Sequence, residues 1–338
     1  MKAQVKSKLN TEGRVDLQDV IPLETPFLLY VDPSSACNFR CQFCPTGHID
    51  LLKASEYKRR VLDFALFEKI IRDVSEFPDH LRVMRLNKIG EPLLNKNLPD
   101  MVRLAKQCGR IDYIDLATNA SLFNEGLLEA LIEAGLDRLN VSLEGIDNDQ
   151  YRKHAKVDVN FDEIIKNIKW LYQNKGGCEI SIKIPGNYLS EKDREIFFDI
   201  FGNYCDRIFI EELSPIWPEF DVEERAHVKI TQDEGQYRQK LEEKEVCTYI
   251  FYAMAVNADG TVSACCPDWD QKLLIGDARR QSLREIWGSD SMRKLQKLHL
   301  KGLRETHPVC ASCGHVKFSQ QDNIDDFKEI ILMKIFKE

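Results

Sequence analysis

Three cysteines crowd one short segment, Cys37-Asn-Phe-Arg-Cys41-Gln-Phe-Cys44-Pro45. Thiolate is the soft ligand that iron–sulfur clusters require, and three thiols this close can wrap one cubane. Three ligands for four irons leave one iron without a protein donor. That open corner can be chelated by the amino and carboxylate groups of a methionyl moiety. Zinc is the plainer alternative: it takes four ligands, and His48 is near enough in sequence to be the fourth. A second set lies far downstream, Cys247, Cys265 and the pair Cys310-Ala-Ser-Cys313. Four thiols can fully ligate one [4Fe–4S] cluster or, equally, one structural zinc ion.

Eleven cysteines in all, an odd number, do not read as a disulfide framework in a chain of 338 residues. Cys108, Cys178 and Cys205 stand apart from both sets and read as buried core thiols. The net charge of −8 is spread along the chain, which argues against nucleic acid or an anionic membrane as the main partner. No stretch approaches the ~20 apolar residues that span a bilayer. Met1 to Pro26 lacks the apolar core of a signal peptide, so a cytoplasmic protein is expected. Clustered thiols in a reducing compartment point to metal.

The elements that must position these thiols alternate regularly. Phe27 to Val31 reads as a buried strand, and Leu62 to Phe77 as a helix stopped before Pro78. Strands follow at Val83–Leu86, Ile111–Ala117, Leu139–Leu143, Glu179–Ile184 and Arg207–Ile210. Helices intervene at Leu98–Cys108, Glu125–Ala134, Phe161–Tyr172 and Ser190–Phe201. Six strand–helix units imply a parallel sheet with right-handed crossovers, a partial (β/α)6 barrel with function at the strand C-termini. Leu213 to Val246 breaks the rhythm with Pro215 and Pro218. Ala253 to Cys265 reads as a hairpin turning at Asn257 to Gly260, and Ser282 with Glu285 as a capping box opening a helix. Ile324 to Phe336 reads as a last helix docked on the barrel.

The C-x3-C-x2-C loop after a first strand resembles the radical S-adenosylmethionine (SAM) superfamily, whose pattern is C-x3-C-x-aromatic-C. The resemblance places Phe43 beside the adenine. Gly90-Glu91-Pro92 resembles the Gly-Gly-Glu segment whose backbone carbonyls receive the SAM amino group, although Ile89 replaces the first glycine. Asn119 ends strand three. Ser142 and Glu144 stand where the family places residues on the ribose hydroxyls and methionyl group, and Lys183 is a candidate partner for the methionyl carboxylate. The stretch from Cys247 through Gly260 to Cys265, C-x12-G-x4-C, resembles the SPASM and shorter twitch extensions that follow such barrels. With no cysteine after Cys313, the match is to a twitch domain of the 2-deoxy-scyllo-inosamine dehydrogenase type, with one auxiliary [4Fe–4S] cluster. The hairpin spacing selects Cys265 over Cys266, since adjacent strand residues face opposite ways. The expected organisation is an N-terminal extension (1–26), barrel (27–213), linker (214–246), twitch domain (247–318) and C-terminal helix (319–338).

The resemblance implies reductive cleavage of SAM to a 5′-deoxyadenosyl radical that removes hydrogen from the substrate. A fully ligated auxiliary cluster would carry electrons rather than bind substrate, which favours net oxidation. The expected substrate is a small polar metabolite (a sugar, aminocyclitol or nucleotide-linked sugar), with dehydrogenation leading and epimerisation or deamination behind. Glu212 could deprotonate a hydroxyl beside the radical carbon, Trp217 could stack on a sugar ring, and His48 borders the cluster loop. A flavodoxin- or ferredoxin-type electron donor is implied by the family. One rival makes the chain a maturase of ribosomal peptides, although only about 26 residues precede the first strand. The other rival is a zinc-stabilised, non-enzymatic binding protein.

Overall fold

The strands of a parallel sheet buried on both faces usually read as continuous apolar runs. Those of this chain alternate instead, as in Arg138-Leu-Asn-Val-Ser142 and Glu179-Ile-Ser-Ile-Lys183. The computed structural model, which describes residues 1–7, 14–55, 57–230 and 233–336, shows why. Residues 8–13 of the expected N-terminal extension and 337–338 of the expected C-terminal helix lie outside the described residues.

Seven strands are parallel neighbours: β1 (Gln4–Val5), β2 (Leu28–Val31), β3 (Leu81–Arg85), β4 (Ile111–Thr118), β5 (Arg138–Ser142), β6 (Glu179–Pro185) and β7 (Arg207–Glu211). The crossover helices are α1 (Phe64–Val74), α2 (Leu98–Gln107), α3 (Glu125–Glu133), α4 (Asn148–His154), α5 (Phe161–Asn174) and α6 (Glu191–Phe201). One strand face carries Leu29, Met84, Ile114, Leu139, Ile182 and Ile208, buried in a single core with the helices. The other carries Tyr30, Arg85, Asp115, Asn140, Lys183 and Glu211, and lines a polar lumen. Registers place Tyr30 beside Arg85 and Arg85 beside Asp115. Arg85 pairs with both oxygens of Asp115 (2.7 and 2.5 Å) and donates to the Tyr30 hydroxyl (3.0 Å). Helix starts follow from side-chain caps: Asp63, Asn124, Asp147, Asn160 and Ser190 each accept a backbone N–H. The six-unit α/β barrel expected from the sequence is present, with small shifts of element ends.

Three places differ from the sequence expectation. The N-terminal extension contributes β1, which adds to β7 at the sheet edge. The segment read as a linker packs its own apolar cluster, Leu213, Phe220, Val222 and Ala226, against Phe43, Tyr188 and Trp217; Pro215 and Pro218 had hidden that burial by interrupting any period. The C-terminal helix α9 (Lys328–Phe336) packs on α8 (Asp290–Leu300) of the C-terminal domain rather than on a barrel helix. Lys297 of α8 lies 5.4 Å from the Phe336 ring centroid.

The C-terminal domain continues the barrel sheet. Its strand β8 (Ala253–Val256) runs parallel to β2 along its whole length, and β9 (Thr261–Ser263) and β10 (Leu274–Asp277) follow antiparallel. The β8–β9 turn needs Gly260, whose φ is +90°. Ser282 caps α7 (Leu283–Trp287), and Glu285 closes the capping box.

Candidate active site

The loop bearing Cys37, Cys41 and Cys44 leaves the C-terminal end of β2 and is pinned to the end of α4. Arg40 N–H donates to the Ala155 carbonyl and Gln42 N–H to the His154 carbonyl, each at 2.9 Å. Gly90 fixes its other side. A Cβ there would stand 2.0 Å from the Ser34 oxygen and 2.5 Å from the Ala36 oxygen, so only glycine admits the crossing. The Glu91 N–H donates to the Ala36 carbonyl (2.8 Å). Its buried carboxylate accepts from Thr118 Oγ1 (2.7 Å), Asn119 N (2.8 Å) and Leu93 N (3.1 Å). Glu91 therefore braces the β3 and β4 ends with its side chain, and Pro92 opens a buried 3₁₀ turn. Asn119 Nδ2 donates to Asn38 Oδ1 at 2.9 Å, tying the β4 end to the residue after Cys37.

Burial pushes the Cys37 thiol up to about 12 and raises Cys41 and Cys44 as well. Thiols this buried stay protonated unless a cation displaces the proton, so this donor set suits iron. Glu144, just past β5, is buried, and its Oε2 has no hydrogen-bond partner among the described residues. Burial pushes its carboxyl up to about 8 against the pull of Lys183. A buried carboxylate oxygen left unpaired beside the thiols fits a ligand that brings hydrogen-bond donors. Ser142, half-buried, ends β5 two residues earlier.

The sequence candidates do not all meet here. Lys183 is committed to Glu211, its Nζ 2.5 Å from Oε1. Glu211 is buried in the lumen, whereas Glu212 is held by Arg238 (3.3 Å) beside Gly186. The strand alternation thus gives Glu211, not Glu212, the inward position. His48 Nε2 donates to the Gln42 carbonyl (2.8 Å) with its ring 5.4 Å from Phe220, a contact within the loop. Trp217 packs in the apolar cluster of the former linker, and Phe43 faces Tyr188 at 6.4 Å.

The second set of thiols comes together in one pocket. Cys247, Cys265, Cys310 and Cys313 line it with His299 and Arg304. Cys266 turns away, its Sγ accepting from the Tyr249 hydroxyl at 3.1 Å. Gln320 Nε2 donates to Cys247 Sγ at 2.7 Å. His299, Arg304 and Gln320 had no motif to announce them; they reach the pocket through α8 and the segments after it. Four thiols lining one pocket can ligate a whole cubane.

Barrel, cluster loop and appended thiol pocket define an iron–sulfur enzyme built to use SAM. Residues 31–198 match the family model of the Radical SAM superfamily, and residues 247–314 that of SPASM, an iron-sulfur cluster-binding domain. The chain thus carries a Radical SAM superfamily domain followed by a SPASM-type iron–sulfur cluster-binding domain. Its cofactors are a SAM-binding [4Fe–4S] cluster, SAM itself and auxiliary iron–sulfur. The zinc-stabilised, non-enzymatic reading is thereby set aside.

The probable GTP 3′,8-cyclase of Saccharolobus solfataricus is 34% identical over 58% of this chain, and the match spans 58% of that relative's length. The tungsten-containing aldehyde ferredoxin oxidoreductase cofactor-modifying protein of Pyrococcus furiosus is 25% identical over 85% of this chain and 86% of its own. Among solved structures, BtrN in complex with AdoMet and 2-DOIA covers 88% of this chain and 97% of its own, with a TM-score of 0.54 at 19% identity. Streptococcus suis SuiB bound to precursor peptide SuiA covers 92% and 74%, with a TM-score of 0.63 at 18% identity. Among the described residues, no helix is long and apolar enough to cross a membrane.

Proposed function

We propose that this chain is a radical SAM oxidoreductase acting on a small polar metabolite (a sugar, aminocyclitol or nucleotide-linked sugar), with dehydrogenation as the net reaction. The observation that carries this reading is the pocket shared by Cys247, Cys265, Cys310 and Cys313. Four thiols ligate a whole cubane, so the auxiliary cluster keeps no iron for substrate and serves to carry electrons. Cys37, Cys41 and Cys44 would hold the other cluster. The Gly90–Pro92 backbone, Asn119, Ser142 and Glu144 would surround SAM, with Phe43 at its adenine. Reduced cluster and SAM together supply a 5′-deoxyadenosyl radical able to take hydrogen from an unactivated C–H.

The protein's own part is orientation, exclusion of water and proton handling. Glu211 faces the lumen and is the carboxylate placed to accept a substrate hydroxyl proton, with Lys183 to steady the charge. The charged lumen suits a substrate rich in hydroxyl or amino groups, and so does the general likeness to BtrN. A flavodoxin- or ferredoxin-type protein would supply electrons. All eleven cysteines are unpaired, which suits the reducing cytoplasm.

The test is anaerobic reconstitution followed by incubation with SAM and reductant. About eight irons per chain are expected, with 5′-deoxyadenosine formed and deuterium transferred to it from a labelled sugar or aminocyclitol that becomes a ketone. About four irons would end the two-cluster reading, and an inverted rather than oxidised product would make the chain an epimerase. A second reading, modification of a peptide or protein side chain, draws on the fold shared with SuiB; retention of a candidate leader peptide on immobilised enzyme would favour it.

A further inference from the structure

The auxiliary pocket contains a hydrogen-bond donor that no group among the described residues receives. His299, on α8, is only 1% exposed and lines the pocket beside the four thiols. Its Nδ1 accepts the backbone N–H of Cys247 at 3.2 Å. A ring nitrogen that accepts carries no proton, so the imidazole hydrogen belongs on Nε2. Nε2 is buried and has no partner among the described residues. Leaving such a donor unpaired costs about 1–3 kcal/mol. The pocket wall combines the four thiols with Ile250, Leu273, Val309 and Val316, and Arg304 and Asp268 are its other charged side chains.

We propose that His299 donates its Nε2–H to a sulfur of the auxiliary cluster and so sets that cluster's reduction potential. The inference rests on the auxiliary-cluster reading above and adds a positioning residue to it. A hydrogen bond to cluster sulfur draws off negative charge, stabilises the reduced state and raises the potential. The ring is held in place for this, since the Cys247 N–H fixes its tautomer and Gln296 anchors α8 to the Ile250 carbonyl at 2.9 Å. Direct ligation of iron by Nε2 is disfavoured by the same tautomer, which puts the proton where the metal would bind. Gln320 makes an independent bond to Cys247 Sγ, so the two donors act on different parts of the site.

The test compares reconstituted holoenzyme with His299→Leu and His299→Gln by redox titration followed by electron paramagnetic resonance. His299→Leu lowers the equilibrium constant for reducing the auxiliary cluster about tenfold, which is about 59 mV for a one-electron couple. His299→Gln, which keeps an amide donor, stays near the parent value, and the barrel cluster keeps its potential in both. A fully loaded His299→Leu protein with an unchanged auxiliary potential overturns the proposal. Should His299→Leu load poorly, the parent protein grown with [15N]histidine decides. A weak histidine-nitrogen coupling on the auxiliary signal that persists in His315→Gln, which removes the labelled backbone N–H on Cys313, upholds the hydrogen bond, while no such coupling, or one strong enough for an Fe–N bond, overturns it. An iron content of about four per chain removes the auxiliary cluster and this proposal together, a failure distinct from an unshifted potential.

Discussion

Lys183 Nζ, at the end of β6, lies 2.5 Å from Glu211 Oε1, at the end of β7, with Gln236 Nε2 3.5 Å from the second carboxylate oxygen. The side chain that the sequence offered to the SAM carboxylate is thus already engaged by a buried partner. The pair joins two strand ends inside the lumen.

Removing one partner leaves the other buried and charged. Lys183→Met is expected to destabilise the protein by about 3 kcal/mol, and Lys183→Met with Glu211→Gln to recover most of that loss. Denaturant unfolding under anaerobic conditions, run as a double-mutant cycle, measures both. Equal losses in the single and double variants would contradict the pairing.

Gly90→Ala has no room. The added methyl would meet two backbone oxygens at 2.5 Å or less, neither of which can swing aside. The expected cost is about 4 kcal/mol, with loss of the barrel cluster while the auxiliary one persists. Iron analysis and the resonance spectrum of the variant read this directly; a normally loaded barrel cluster would refute the crowding argument.

Two buried carboxyls give the iron-free protein a definite pH dependence. Burial raises Glu91 to about 7 and Glu144 to about 8, from an ordinary value of 4.5. Between those limits the folded chain holds more protons than the unfolded one, so stability falls as pH rises. The contribution is fully present below 4.5 and is lost as pH climbs through about 7 for Glu91 and about 8 for Glu144. Urea midpoints should therefore drop from pH 5 to pH 9, and Glu144→Gln should flatten the upper part of the profile. A midpoint that climbs over this range contradicts the burial argument.

Cys265 and Cys266 are neighbours that the structure separates. Cys265→Ser should cost about four of about eight irons, because Cys265 lines the thiol pocket. Cys266→Ser should keep full iron, because its sulfur faces Tyr249. The reverse pattern would mean that the hairpin places the other thiol on the cluster.

Much of the architecture was legible because it repeats. Six strand–helix units carry their periods on the surface of the sequence, and both thiol sets have spacings that stand out from the surrounding residues. What was hidden depends on how non-repeating pieces come together. Nothing near Glu211 and Glu212 says which faces inward until the β6–β7 register is known. Gly90 looks like an ordinary turn residue until Ser34 and Ala36 are seen to cross it. Lys183 reads as a free cation because its partner is 28 residues away. His299 sits between Leu298 and Leu300 and reads as an ordinary core residue of an amphipathic helix, and only the fold brings its ring to Cys247.

The ladder between β2 and β8 joins both iron-binding regions to one rigid lattice. The loop with Cys37 leaves one strand of that pair, and the pocket with Cys247 and Cys265 brackets the other. Swinging the two regions apart would rupture backbone bonds at the centre of the sheet, so their separation stays constant through turnover.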